Sequence, residues 1–454
     1  MTFLGASMLS GISAQVSPLQ VDTLKETKIP DQWDLQSCID YAKEQNITIR
    51  KNRITAASTQ IDVKTAKAAM FPSLSFSTGQ QVVNRPYQET SSRVSGSEII
   101  SSNSKTSYNG NYGLNASWTL YNGNKRLKTI QQEKLNNQMA ELDVATSENN
   151  IQESIAQVYI QILYAAESVK VNENTLQVSI AQRDRGQELL NAGSIAKSDL
   201  AQLEAQVSTD RYQLVTAQAT LEDYKLQLKQ LLELDGENEM NIYLPTLSDE
   251  NVLAPLPTKR DVYISALSLR PEIEASKLNV EASELGINIA KSSYFPTISL
   301  SAGIGTNHTS GSDFTFGEQV KNGWNNSIGL SVSVPIFNNR QTKSAVQKAK
   351  LQRETSMLNL LDEQKNLYKA IEGLWLDANT AQQRYVAAQE KLRSTQTSYE
   401  LVSEQFNMGM KNTVELLTEK NNLLSAQQET LQAKYMAILN AQLLKFYQGE
   451  EIQL

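Results

Sequence analysis

The chain has 454 residues, a formal net charge of −7 and a pI near 5.2, and 40% of its residues are hydrophobic. Its single cysteine, Cys38, excludes an intrachain disulfide, and its single histidine, His308, argues against a histidine-based metal cluster or a Ser-His-Asp triad. No basic run indicates nucleic-acid binding, and no stretch is long and apolar enough to predict a membrane-spanning helix. We therefore expect neither an enzyme nor a bound cofactor or metal.

Residues 1–14 are apolar and end in small side chains, which is typical of a secretory signal peptide. They lack the basic residues that usually begin such a signal. Either the start of the chain is mis-assigned or the signal is atypical, and a secreted protein is expected.

The first of two structural repeats is predicted over residues 33–234, and it begins with a helix over residues 33–69. Asp34 can cap this helix, and Cys38 lies on it as a buried small side chain. The helix should end before Pro72, because the residue preceding a proline is disfavoured in helix.

Two short strands with strict alternation follow, Ser73–Ser77 and Gly113–Leu120. A segment rich in Ser, Asn, Gly and Thr, residues 79–112, separates them and is predicted to be a loop. On the second strand the apolar side chains share one face, and small polar residues occupy the other. The apolar face consists of Leu114, Ala116, Trp118 and Leu120.

A long helix is predicted over residues 124–191, and a second helix follows to about residue 234. In the second helix, apolar residues form two series in which neighbours lie seven residues or a multiple of seven apart. These are Leu200, Val207, Leu214, Leu221 and Leu228, and Leu203, Ala217, Tyr224 and Leu231. Such spacing, sustained over several turns, predicts a coiled coil rather than an ordinary amphipathic helix.

A proline-containing linker over residues 235–260 leads to the second repeat, residues 261–447, and then to a tail over residues 448–454. The second repeat has helices over residues 261–292 and 340–407 and strands over residues 297–302 and 328–334. The offset between matching residues is 224 at Phe71 and Phe295, and 216 from the second strand onward. This pattern predicts one internal duplication, not a solenoid.

Two related stretches interrupt the coiled-coil helices: Leu190–Leu200 and Phe406–Leu417. Gly193 and Gly409 should end the preceding helices, because glycine adopts the left-handed conformation without a Cβ penalty. Ser198 or Thr413 can then cap the helices that follow. Each stretch is therefore predicted to be the tip of a helical hairpin.

The two uninterrupted helices would each hold roughly 68 residues and span roughly 100 Å. Four strands are too few to close a barrel, whereas three chains would supply twelve strands and leave room for a lumen. The apolar face would then meet lipid and the polar face water. The expected lipid-facing residues are Leu114, Trp118, Leu120, Ile298, Leu300, Leu330 and Val332. The alternative is that the apolar face packs on a soluble core.

Four motifs in a fixed order carry a family resemblance: Ser268–Ile273, Tyr294–Ile298, Val334–Asn338 and Phe406–Gly409. With them the chain resembles the TolC-like outer-membrane efflux proteins, from about Trp33 to Tyr447. The resemblance implies a mainly α fold with a small β part. Long antiparallel coiled-coil helices would form a periplasmic α-barrel, and four strands per chain would contribute to a trimeric twelve-stranded β-barrel.

The same resemblance implies a homotrimer in outer-membrane lipid, with a periplasmic extension. Its partners would be a periplasmic adaptor protein and an inner-membrane pump or ABC exporter. The implied function is the exit duct of a tripartite efflux pump or type I secretion system for small molecules or proteins. Residues 79–112 and 303–327 would form extracellular loops. The alternative is a non-transporting coiled-coil scaffold or surface adhesin.

The resemblance also implies a gate at the hairpin tips, in which Lys411 ties one hairpin to its neighbour through Ser198 and Asp199. Lysine here replaces an arginine and loses its bidentate geometry, and Phe406 replaces a tyrosine. The family's acidic ring would fall at uncharged Thr418. The gate residues are expected to be Gly193, Ser198, Asp199, Phe406, Gly409, Lys411 and Glu415. The alternative is that Lys411 and Asp199 are ordinary solvated residues.

Overall fold

The computed structural model describes residues 30–87, 91–95, 98–102, 105–235, 240–245, 252–310 and 314–453, and the predicted signal over residues 1–14 lies outside them. The helices of this part are α1 (Leu35–Gln45), α2 (Ile47–Ala68), α3 (Lys125–Asn191), α4 (Lys197–Leu231), α5 (Lys259–Leu269), α6 (Pro271–Ser292), α7 (Phe316–Asn322), α8 (Gln341–Asn407) and α9 (Thr413–Tyr447). The strands are β1 (Ser73–Asn84), β2 (Ser91–Ser95), β3 (Glu98–Ser102), β4 (Thr106–Asn122), β5 (Thr297–Thr309) and β6 (Asn325–Ser333).

The two helical hairpins have the same lengths. Helices α3 and α8 hold 67 residues each, and helices α4 and α9 hold 35 each. A 67-residue helix is about 100 Å long at 1.5 Å per residue. Every boundary of the second hairpin lies 216 residues after its counterpart, as Gln341 follows Lys125 and Tyr447 follows Leu231. The internal duplication predicted from the sequence is therefore present in the structure.

The two hairpins lie side by side. Helix α3 packs along α4, helix α8 packs along α9, and α9 also contacts α3. The shorter helices α2 and α6 both pack against α3, and α6 also packs against α8. The two repeats therefore share one bundle, and α3 is its central element.

The two shorter helices that the sequence predicts, over residues 33–69 and 261–292, are each broken at a matching position. Asn46 separates α1 from α2 with a ψ of 128°, and its side-chain oxygen accepts hydrogen bonds from the Thr48 and Ile49 N–H groups. Arg270 separates α5 from α6, where Pro271 has no N–H to continue the helix. The expectation of continuous helices is wrong, because Asn46 caps the start of α2 and Pro271 cannot donate a backbone hydrogen bond to α5.

Four strands form one antiparallel sheet in the order β1-β4-β5-β6. A bulge between Thr119 and Tyr121 is the one register shift recorded between these described strands. Strands β1 and β6 form the two edges, and within the described chain each pairs on one side only. A sheet edge presents unpaired N–H and C=O groups that can pair with another strand.

The predicted loops over residues 79–112 and 303–327 are largely wrong. Strand β1 continues to Asn84, β4 begins at Thr106, and β5 continues to Thr309. A separate β2–β3 pair and helix α7 lie within the same two segments. Polar residues on both faces of these strands removed the hydrophobic alternation, although backbone pairing does not require it.

The main core lies around the middle of α3, where the linker returns to the bundle. Trp33 is 1% exposed and forms a parallel bridge with Ile242. The Tyr159 hydroxyl of α3 donates to the Tyr243 carbonyl oxygen at 2.6 Å. The C-terminal tail also reaches this cluster through Ile452, which is 3% exposed. None of the described helices is long and apolar enough to span a membrane.

Candidate functional sites on the sheet and at the hairpin tips

One face of the four-stranded sheet exposes large apolar side chains. The register places Trp118 beside Leu300 and Leu300 beside Leu330, and it pairs Ile298 with Val332. Leu330 is 64% exposed and Val332 is 56% exposed. Leu74 and Phe76 extend the same face on β1, because they pair with Ala116 and Leu114. Within the described chain this apolar face is therefore exposed and does not pack on a soluble core.

Leu120 departs from the expected pattern. Thr119 pairs with Ser299 and Tyr121 pairs with Ile298, so that Leu120 is the extra residue of the bulge and has no partner on β5. The sequence predicts Leu120 on the apolar face, but the bulge aligns Tyr121, not Leu120, with Ile298. A bulge inserts one residue into one strand and changes the alternation beyond it, which explains the difference.

The opposite face of the sheet carries small polar groups. The hydroxyl oxygens of Ser73 and Ser117 are 2.8 Å apart across the β1–β4 pair. The Ser301 hydroxyl donates to the Gly329 carbonyl oxygen at 3.2 Å across the β5–β6 pair. A sheet with one apolar and one hydroxyl-rich face fits between lipid and water.

Trp118 lies at the boundary between the sheet and the helices. Its indole Nε1 donates to the Met70 carbonyl oxygen at 2.8 Å, just beyond the end of α2. Arg126 Nη1 donates to the neighbouring Ala69 carbonyl oxygen, also at 2.8 Å. Trp118 remains 39% exposed, so that its ring combines an apolar surface with a satisfied polar end. This combination is typical of interfacial anchors.

His308 is not the loop residue that the sequence suggests, because it lies on β5. Its ring is 5.2 Å from that of Tyr108, 5.9 Å from that of Tyr112 and 5.0 Å from that of Phe316. Gly110 lies opposite His308 and provides the space, since an added Cβ there would be 2.2 Å from the imidazole. A missing side chain on the partner strand thus allows a half-buried aromatic cluster at this end of the sheet.

Each hairpin turns at a glycine. Gly193 and Gly409 both have a φ of +75°, as the sequence predicts, and an added Cβ would meet nothing within 4 Å at either position. The Ser194 N–H donates to the Leu189 carbonyl oxygen at 2.8 Å, closing the end of α3. The Met410 N–H donates in the same way to Gln405 at 2.9 Å. Both tips therefore use one C-terminal capping geometry.

The predicted N-caps are one or two residues out of place. Asn412, not Thr413, caps α9, because its side-chain oxygen accepts from the Glu415 N–H at 2.9 Å. Ala196, not Ser198, precedes α4, and its N–H donates to the Asp199 carboxylate at 3.0 Å. An acid three residues into each helix reaches back to the cap, which allows even alanine to occupy that position.

Lys411 and Asp199 have separate partners in the described chain. Lys411 Nζ lies 2.6 Å from the Glu415 carboxylate within the second tip. Among the described residues no ion pair or hydrogen bond joins Lys411 to Ser198 or Asp199. The hydrogen bond from Lys411 and that from the Asn412 N–H lower the pKa of Glu415. Behind the tip, Phe406 is 3% exposed and Leu416 fully buried, so the turn rests on an apolar base.

Two buried ion pairs were not among the predicted site residues. Arg270 Nη2 lies 2.5 Å from Glu153 on α3, and its guanidinium stacks on Tyr447 at the end of α9. Lys420 forms a buried ion pair with Asp210, linking α9 to α4. Asp210 lies seven residues after Leu203 and seven before Ala217, at the one position of that heptad series that is not apolar. A charge at a coiled-coil core position was the sequence signal that could have indicated this buried ion pair.

The sheet has one apolar and one polar face, and the two hairpins are very long. Together these features define a class, the channel-forming proteins of membranes. The chain matches the outer membrane efflux protein family over residues 38–233 and 262–450, one segment in each repeat, and it belongs to that family. Its location is accordingly the Gram-negative outer membrane.

Known proteins support this assignment. BepC, an outer membrane efflux protein of Brucella suis biovar 1, is 25% identical over 302 residues, 65% of this chain and 63% of BepC. The outer membrane protein TolC of Escherichia coli K12 is 23% identical over 296 residues, 63% of this chain and 58% of TolC. The matches thus span less than two thirds of either relative. The crystal structure of CusC shares the fold, with a TM-score of 0.77, 19% identity and 91% coverage of both chains.

Proposed function

We propose that three copies of the chain form a continuous duct through the outer membrane and into the periplasm. The duct would be the exit path of a tripartite efflux pump or type I secretion system, with a periplasmic adaptor and an inner-membrane pump or ABC exporter as partners. Family membership favours this function over a scaffold or adhesin. No step of the proposal requires catalysis by the chain.

The observation that carries the proposal is the open four-stranded sheet. Its two edges, β1 and β6, are free in the described chain, and its apolar face is exposed. Strand β6 of one copy can pair with β1 of the next, so that three copies close twelve strands into a barrel. Closure satisfies the edge groups, and only a closed barrel or a helix does so in lipid. The apolar face then contacts lipid, and the hydroxyl-rich face lines water.

The hairpins support the second half of the proposal. Their length of about 100 Å suits a tunnel that crosses much of the periplasm. We place the gate at the tips, where Gly193 and Gly409 turn the chain and Lys411 carries a positive charge. In a closed ring the tips of neighbouring hairpins meet, so that Lys411 would lie near the acids of an adjacent tip. Thr418 is uncharged, and its hydroxyl donates to the Val414 carbonyl oxygen at 2.8 Å. We therefore take Glu415 as the acid of the tip that would lie nearest the constriction.

Charge placed on the apolar face tests the barrel. In a variant carrying Leu330→Asp and Val332→Asp, trimer assembly should fail, because a charge facing lipid costs about 2–4 kcal/mol near the midplane. The matched control carries Ser331→Asp and Ser333→Asp on the polar face of the same strand, and it should assemble nearly normally. Heat-modifiable trimers in outer-membrane fractions provide the measurement. Equal trimer yields from the two variants would exclude this topology.

A further inference from the structure

A buried ion pair joins the two hairpins of one chain. Lys420 on α9 donates to the Asp210 carboxylate on α4 and to the Ser179 hydroxyl on α3. The side chains of Lys420 and Asp210 are 4% and 2% exposed. The Ser179 hydroxyl also donates to Asp210, and Gln206 Nε2 donates to its other oxygen at 2.9 Å. Three helices thus meet at one fully enclosed carboxylate.

All three buried residues occupy core positions of their heptads. Ser179 lies three residues after Leu176, Asp210 three after Val207, and Lys420 three after Leu417, where an apolar residue is expected. Burial lowers the pKa of Lys420, against the opposing effect of Asp210, which shows that desolvation of the ammonium is substantial. A polar group at a core position costs stability but can determine which helices pair and in which register.

The internal duplication provides a comparison for this ion pair. A shift of 216 residues relates Ser179 to Thr395, Asp210 to Ala426, and Lys420 to Glu204. The related positions thus hold no lysine and no aspartate, and therefore no complementary pair. In a ring of three chains, hairpins meet alternately within one chain and between two chains. The two kinds of interface are related by the same shift of 216 residues, and the charge pair is present only within a chain.

We propose that Lys420 and Asp210 clamp the two hairpins of each chain into one rigid unit, so that the duct opens along the seams between chains. This inference rests on the proposed trimeric duct. Loss of one partner would leave the other charge buried without compensation, which is far more costly than loss of an exposed pair. The seam between chains has no such clamp and separates more readily.

Two cysteine pairs distinguish the two kinds of interface. Gln206 Nε2 and Asn421 Oδ1 are 3.4 Å apart across α4 and α9, so Gln206→Cys with Asn421→Cys probes the contact within a chain. The positions related by 216 residues give Ala205→Cys with Asn422→Cys, which probes the contact between chains. Both pairs are made with Cys38→Ala and treated with a short bis-methanethiosulfonate. On denaturing gels the first product keeps the monomer mass, and the second forms dimers and trimers.

The clamp is tested by the yield of the crosslink within a chain. Lys420→Met should reduce this yield at least about tenfold, because Asp210 then loses its buried partner. The combination of Lys420→Met with Asp210→Leu should restore it, since an apolar pair leaves no charge uncompensated. Lys391→Met is the matched control, because Lys391 lies 2.8 Å from Glu429 in an exposed pair, and it should leave the yield unchanged.

An unchanged yield in a folded Lys420→Met protein would overturn the clamp, as would an equal loss in the Lys391→Met control. Circular dichroism checks helix content, and Lys420→Gln, which keeps a hydrogen-bond donor, replaces Lys420→Met if the latter does not fold. This measurement needs only one chain. It therefore decides the clamp even if the trimer proposal fails.

The seam is tested by single-channel conductance in planar bilayers, with Lys411→Glu added to open the tips. The crosslink within a chain should leave the raised conductance unchanged, whereas the crosslink between chains should return it to the wild-type value. The opposite result would overturn the inference. If the second cysteine pair gives neither dimers nor trimers, or Lys411→Glu does not raise conductance, the proposed duct or its gate fails instead.

Discussion

The guanidinium carbon of Arg270 lies 3.7 Å from the ring centre of Tyr447, joining the start of α6 to the end of α9. The same guanidinium contacts Glu153 in the middle of α3, at 2.5 Å. Burial opposes the charged form of Arg270, but the hydrogen bond and charge of Glu153 prevail and raise its pKa. One side chain thus ties together three helices where the linker and the tail meet the bundle.

Replacement of Arg270 should destabilise the bundle strongly. Arg270→Met leaves Glu153 without its partner and should cost about 3–5 kcal/mol. Arg270→Lys keeps the charge but loses the planar stacking and should cost less. Thermal unfolding followed by circular dichroism provides the measurement. Lys277→Met, which removes an exposed pair with Glu274, is the control and should change stability by less than about 1 kcal/mol. Similar melting shifts for Arg270→Met and Lys277→Met would contradict this role.

Reversal of the charge at Lys411 should open the proposed gate at the hairpin tips. Lys411→Glu places a second carboxylate beside Glu415, just before α9 begins, and adds repulsion between adjacent tips, so single-channel conductance at low salt should rise several-fold. A second change, Asp199→Lys, should partly restore closure if Asp199 faces Lys411 of a neighbouring hairpin. Lys225→Glu is the control, since Lys225 forms a comparable pair with Glu222 away from the tips. Wild-type conductance in Lys411→Glu would leave the tips without a gating role.

Glycine-to-alanine changes should have opposite effects at the tip and in the helix. Gly409→Ala forces alanine into the left-handed region and should destabilise the turn by about 1 kcal/mol. Gly373→Ala fills an open position inside α8 and should stabilise the helix by roughly 0.5–1 kcal/mol. Amide hydrogen exchange at the tip and in α8 would resolve the two effects. Faster exchange in both variants would show that conformation is not the cause.

The thiol of Cys38 should be unreactive at neutral pH. It is fully buried, and burial raises its pKa from 9.0 to about 12, with a smaller effect from Asp34. Maleimide should therefore label the folded wild type far more slowly than a Gln206→Cys variant. The raised pKa of Cys38 also makes the folded state less stable at high pH, because the thiol of the unfolded chain ionises first as the pH rises. Wild type should lose stability above pH 9.0 relative to Cys38→Ala, whereas the difference between them should be constant at lower pH.

Features that depend on local backbone preference could be predicted from the sequence. Gly193 and Gly409 mark the hairpin turns because no other residue adopts that conformation as cheaply. The offset of 216 residues identified the hairpins, because coiled-coil helices tolerate few insertions. The apolar alternation of Leu330 and Val332 located the exposed face of the sheet.

Features that depend on distant partners could not be predicted from the sequence. The amide of Asn46 breaks a helix partly because it donates to the Leu231 carbonyl oxygen, 185 positions further along the chain, at 3.0 Å. Lys420 is accommodated in the core only because Asp210, on the other hairpin, lies opposite. Strand β4 extends to Thr106 through polar residues, because its pairing with β1 depends on the backbone. In each case the deciding contact joins residues that no sequence window contains together.

The equal lengths of the two hairpins limit how such a protein can grow or shrink. One residue inserted into α8 would rotate everything beyond it by about 100° and move the core stripe off its partner. Seven residues restore the stripe but lift that tip by about 10 Å above the others. A ring with a level rim can therefore change height only in steps that keep the core stripe aligned, such as heptads, made in both repeats and in both arms of each hairpin. Tunnel length in this architecture therefore changes in discrete steps, and the two repeats must change together.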